Sequence, residues 1–116
     1  MGKKLLRCHS AHGASNEAKM RAARVDKNQA AIVAALRAAG ASVFIASKVG
    51  GGFPDLVVGY GGYTYLLEVK NPNVPKADRQ LTEDQSVFFC FWRGYVEVVL
   101  TPEEALQVVI GNSILL

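Results

Sequence analysis

The chain has 116 residues, of which 50% are hydrophobic and 9% aromatic, one domain's length with enough apolar material for a modest core, which excludes a disordered tail and a two-domain enzyme. The net charge of +3 is uneven: residues 1–25 hold six Lys/Arg against the single Glu17 and carry +5, leaving −2 on residues 26–116, the pattern of a basic N-terminal arm or extra helix on a slightly acidic body. Two cysteines make no disulfide framework, which fits a cytoplasmic protein; only Leu5 and Leu6 separate Lys4 from Arg7, too little for a signal peptide, and no apolar run approaches the ~18 residues of a membrane span.

From Asp26 the pattern turns helical, with Ile32, Val33, Leu36 and Ala39 at three- and four-residue spacing and Gly40 where a helix ends, predicting a first helix over 27–39. Ser42 to Ala46 is a short β-branched and aromatic run, predicted as a strand and followed by the flexible Gly50-Gly51-Gly52 loop. Residues 55–60 and 63–70 are two apolar runs joined by Gly61-Gly62, a pair suited to the positive φ angles of a two-residue hairpin turn. Asn71-Pro72-Asn73-Val74-Pro75 breaks the ladder. A second helix starts at Thr82, spaced from Gln85 as a capping box, and is expected to bury Val87, Phe88, Phe91 and Trp92 before Gly94. A fourth strand over 95–100 and a last helix over 102–110, opened by Thr101-Pro102-Glu103-Glu104, complete an αβββαβα order on one small mixed sheet flanked by helices, an α/β architecture.

The hairpin fixes a register. With Gly61 and Gly62 as the turn, opposed residues sum to 123, so Val57 faces Leu66 and Asp55 faces Glu68. That pair is of the non-hydrogen-bonded kind, with Cα atoms about 4.5 Å apart, and Lys70, two residues beyond Glu68, shares their face. Like charges directly opposite are destabilising, more so among Leu56, Val57, Val58, Leu66, Leu67 and Val69. A divalent cation offsets that cost: two carboxylates with backbone carbonyls and waters make an oxygen site suited to Mg²⁺ or Mn²⁺. The bland alternative is a rim salt bridge from Lys70 to one carboxylate.

Gly52-Phe53-Pro54-Asp55 followed by Glu68-Val69-Lys70 resembles the PD-(D/E)xK nuclease signature, and the αβββαβ order is that of its restriction-endonuclease-like core. The resemblance sharpens towards the VRR-NUC branch, including its small stand-alone bacteriophage members, and covers about residues 26–108. Its segments are the Asn28-Gln29 helix, the lead-in to Pro54-Asp55-Leu56, Leu67-Glu68-Val69-Lys70, Leu81-Thr82-Glu83-Asp84-Gln85 and Trp92-Arg93-Gly94. It implies a metal-dependent DNA endonuclease, acting on branched DNA as the Holliday-junction-resolving relatives do, as a homodimer without organic cofactor, in the cytoplasm of a bacterial host if phage-encoded.

By that resemblance Asp55, Glu68 and the Val69 carbonyl hold the ion, and Lys70 orients the attacking water, helps deprotonate it or stabilises the growing charge. The resemblance also points to an acidic or amide residue on helix one. Gln29 and Asp26 are the candidates, with Gln29 favoured, although their spacing also suits a capping box. Gln85 resembles the family's helix-two glutamine, against the competing role of reaching back to Thr82. Ser47 and Lys48, with Gly51 and Gly52, are candidate contacts to a DNA backbone, Gly allowing close approach and Lys supplying charge. Cys8, His9 and His12 lack a second ligand pair for zinc, and Cys90 between Phe89 and Phe91 reads as a core thiol. The alternative to an enzyme is a non-catalytic nuclease-fold protein that binds DNA or serves assembly; the complete Asp-Glu-Lys set favours catalysis.

Overall fold

The computed structural model describes the backbone of residues 16–111 and the side chains of residues 27–111. Residues 1–15 of the expected arm lie outside the described ones. Its remainder belongs to α1 (Asn16–Ala38), so the first helix begins well before residue 27. Asn16 to Val25 contains no breaker and several strong helix formers, Ala, Glu, Lys, Met and Arg, and the turns propagate without interruption. Asp26 therefore sits inside the helix and not at its cap. At the other end Gly40 (φ 98°) closes α1: its N–H donates to the Arg37 carbonyl and that of Ala41 to the Leu36 carbonyl, a left-handed C-terminal cap.

Strands β1 (Ser42–Ile45), β2 (Leu56–Tyr60), β3 (Tyr63–Val69) and β4 (Val96–Val99) form one sheet in the order β1-β2-β3-β4. The first three are antiparallel and β3–β4 is parallel, so the sheet is mixed. A parallel neighbour needs a crossover, supplied by a 3₁₀ turn at Lys76–Arg79 and α2 (Glu83–Phe91). Helix α3 (Pro102–Leu106) follows, and the chain continues as one wider π-type turn at Gln107–Gly111, so the last helix is regular for only half of its expected length.

Each face of the sheet has its own core. Ile32, Val33 and Leu36 of α1, with Ala105 and Val109, cover Leu56, Val58, Leu67, Val69 and Val99 on one side. On the other, Phe89 of α2 packs on Leu66 and Val96, with Phe53, Val57, Leu81, Phe88 and Val98 around them. Fully burying a side chain such as Leu67 contributes about 1.5–3 kcal/mol. The burial expected of α2 needs correction: Val87, Phe91 and Trp92 are 44%, 70% and 39% exposed and Phe89 takes the core position. The capping box sets the phase. Gln85 faces the sheet, Phe89 lies one turn on along the same stripe, and Phe91 falls 200° further round. Cys90 is disulfide-bonded, which corrects the expected free core thiol. No helix among the described residues is long and apolar enough to cross a membrane.

Candidate metal and phosphodiester site

The register of the hairpin is the one the turn dictates. Gly61 and Gly62 have φ of 60° and 86°, Tyr60 pairs with Tyr63, and the ladder runs to Leu56 opposite Leu67. There it stops, one position short of the expected Asp55–Glu68 pair. Continuing the sum would place Pro54 opposite Val69, and proline has no N–H to give. The Val69 carbonyl thereby loses its ladder donor, and the Val69 N–H, for which the Pro54 carbonyl would have been the ladder acceptor, donates to Asp55 Oδ2 at 2.9 Å. The N–H and C=O of one strand residue point to the same side. The Val69 carbonyl is thereby turned towards Asp55, with no ladder N–H from Pro54 to claim it. The Asp55 main chain is held from the other side, its carbonyl accepting from the Ala46 N–H at 2.7 Å.

Glu68 shares the α2-side face of β3 with Leu66 and is only 3% exposed. Its Oε2 accepts from Gln85 Nε2 at 2.8 Å and lies 3.6 Å from Lys70 Nζ. Oε1 is buried without a hydrogen-bond partner. Burial, and next the negative charge of Asp55, push the Glu68 carboxyl up to about 8 from an ordinary 4.5, against a smaller lowering by Lys70. Once Glu68 is ionised, Oε1 has no donor at all.

Gln85 makes the expected cap and also reaches Lys70 and Glu68. Its Oε1 accepts from the Thr82 N–H at 3.0 Å while the Thr82 hydroxyl accepts from the Gln85 N–H, the reciprocal capping box. The same Oε1 accepts from Lys70 Nζ at 2.9 Å. The cap of α2 and the charged cluster on β3 are thus one network: Asp55, Glu68 and Lys70 come together as the hairpin spacing implied, and Gln85 joins them.

Gln29 is buried, and its Oε1 accepts from the Ser47 hydroxyl at 3.3 Å. This bond joins α1 to the loop after β1, one residue from the Ala46 that holds the Asp55 carbonyl. The Asp26 side chain lies outside the described ones. Lys48 and Gly51 are exposed, and a Cβ on Gly51 would meet nothing within 4 Å. Gly52 is different, since a Cβ there would run into the carbonyl of Asp84. Its lack of a side chain, at φ 82°, lets the loop rest on the first turn of α2, next to Gln85.

Pro54 and Asn28 are the two residues whose work the sequence reading passed over. Proline inside a signature is easily read as a mere turn, and the missing donor opposite Val69 was the available signal. Asn28 donates from Nδ2 to the carbonyls of Lys70 (3.0 Å) and Leu100 (2.8 Å). With the helix expected to start at residue 27, Asn28 read as a first-turn residue, and nothing in its spacing pointed to Lys70 or Leu100.

Among the described residues no three His, Cys, Asp or Glu side chains converge. Two carboxylates, one carrying a buried oxygen without a partner, beside a main-chain carbonyl fit a hard cation that keeps several waters, the habit of Mg²⁺, better than zinc. Comparison with known proteins found no matching family model, no matching curated protein and no matching solved structure.

Proposed function

We propose that this chain is a divalent-metal-dependent deoxyribonuclease that hydrolyses phosphodiester bonds, with a PD-(D/E)xK core of the VRR-NUC type. The observation that carries the reading is the orphaned, buried Oε1 of Glu68 beside Asp55, in an arrangement that also places an ammonium 3.6 Å from the same carboxylate. A structural ion pair has no use for the second oxygen, and a buried group left unsatisfied is costly.

Asp55, Glu68 and the Val69 carbonyl are the residues that would hold Mg²⁺ or Mn²⁺. When bound, such an ion polarises a phosphoryl oxygen and acidifies a coordinated water. Gln85 holds Glu68 Oε2 and Lys70 Nζ in fixed relation, so neither group has to reorganise when a phosphate arrives. Lys70 keeps a donor beside the carboxylates, placed to orient water or to stabilise charge growing on the phosphate. The exposed Lys48 and the open Gly51 supply charge and close approach for a DNA backbone. Branched DNA as substrate, a homodimer and a cytoplasmic setting belong to the same reading and rest on the family resemblance.

The test is a panel of linear, flapped, forked and four-way DNA incubated with Mg²⁺, with Mn²⁺ or with excess EDTA. Cleavage is expected with either ion and not with EDTA. Binding of DNA without cleavage of any member, under both ions, would make the chain a non-catalytic DNA-binding protein of this fold.

A further inference from the structure

Beyond Val69 and Val99 the parallel strands end, and this is where Lys70 leaves the sheet. Its N–H continues the ladder, donating to the Val99 carbonyl at 3.0 Å. Its carbonyl faces the same side and accepts from Asn28 Nδ2 at 3.0 Å, while the same nitrogen donates to the Leu100 carbonyl at 2.8 Å. A primary amide carries two N–H groups, one for each acceptor. Asn28 therefore staples α1 across the ends of both strands at the point where they would part.

The Lys70 Cα stands between two anchored peptides, one held by Val99 and one by Asn28. The direction in which its side chain departs is set there, and the side chain, 14% exposed, reaches Gln85 Oε1 at 2.9 Å and Glu68 Oε2 at 3.6 Å. Lysine is a flexible four-carbon stem ending in a point charge. A fixed root is what keeps that charge in one place.

We propose that Asn28 is a positioning residue: its amide fixes the main chain of Lys70 so that the ammonium stays on Gln85 and Glu68, and the chemical step depends on that placement. The proposal rests on the nuclease reading above, and its test has an arm that does not need activity. Asn28→Asp is isosteric and turns a donor towards both carbonyls into a repelling oxygen; Asn28→Ala removes the group. Each variant is compared with the wild type, well below its melting temperature, by single-turnover DNA cleavage in Mn²⁺, by DNA affinity in Ca²⁺, and by NMR of the Gln85 side-chain amide.

The expected result is a cleavage rate lowered about tenfold or more, DNA affinity within about twofold of wild type, and a shifted Gln85 amide resonance while those of Tyr60 to Thr64 stay in place. An unchanged rate and an unmoved Gln85 resonance would overturn the proposal. So would a loss of rate matched by an equal loss of DNA affinity, or a lowered melting temperature with normal cleavage, since both describe a structural staple only. If the wild type cleaves nothing, the nuclease reading fails by itself and the Gln85 resonance alone decides whether Asn28 positions Lys70.

Discussion

At its turn end the β2–β3 hairpin is open to water and carries no charge: Tyr63 is 43% exposed, and Gly62, at φ 86°, has nothing within 4 Å of a would-be Cβ. At its other end the same two strands bury Glu68 to 3% exposure next to a second carboxylate. The register set at the turn stops one pair short of the charged end. The first costs the fold little, whereas the second burdens it with a desolvated acid and an unpartnered oxygen. A chain that stabilises one end with plain turn chemistry and tolerates the reverse at the other has an electrostatic conflict located at one place, where a cation would resolve it.

The comparison breaks most readily at the charged end. Asp55→Asn, Glu68→Gln or Lys70→Ala should each lower metal-dependent DNA cleavage by about 10²- to 10³-fold or more, the scale of losing a preorganised electrostatic partner, with far-ultraviolet circular dichroism unchanged. Tyr63→Thr, at the turn end, should leave cleavage within about twofold.

Two glycines sharpen the contrast. Both Gly52 and Gly62 have positive φ, 82° and 86°, so alanine at either one is strained by about 1–2 kcal/mol. Only at Gly52 does the new Cβ also strike the Asp84 carbonyl. Gly52→Ala should therefore cost about 3 kcal/mol or more in urea unfolding and depress cleavage by moving Gln85. Gly62→Ala should show the smaller loss alone.

The pH dependence of stability belongs to Glu68. In the native state its carboxyl is raised to about 8 from an unfolded 4.5, so between those values the unfolded chain binds fewer protons than the native one. Stability in the absence of divalent ions should fall as pH rises from about 4.5 to about 8, with no further loss from this group above that range. Glu68→Gln should flatten the slope, as measured by urea unfolding in EDTA across that range. On stability the smallest effect is expected from Asp55→Asn, whose amide oxygen can still accept from the Val69 N–H. At a pH above about 8, where Glu68 is ionised, relief of the repulsion should raise the metal-free melting temperature by about 1–6 °C.

Much of this was legible because local rules carried long-range consequences. Gly61-Gly62 set a register that held for five pairs, from Tyr60–Tyr63 to Leu56–Leu67, and Thr82 with Gln85 announced a capping box that is present. What local rules could not supply was the end of the ladder. A sum of 123 does not say that Pro54 will withhold a donor from the Val69 carbonyl, or that the Asp55 carboxylate will accept the Val69 N–H. The face of α2 failed for a related reason: in a nine-residue helix so rich in aromatics, hydrophobicity alone does not set the phase. The contact with β3 through Gln85 and Phe89 does. The work of Asn28 was hidden because its partners, Lys70 and Leu100, are 42 and 72 residues away.

The central claim is that Asp55 and Glu68 together hold a divalent cation. Isothermal titration of Mn²⁺ into the wild type and into Glu68→Gln at neutral pH tests it most directly. The account predicts saturable binding at one class of site in the wild type and its loss in Glu68→Gln, with a matching loss of the thermal stabilisation by Mn²⁺. Equal affinity and equal stabilisation in both proteins would contradict it and place the ion elsewhere.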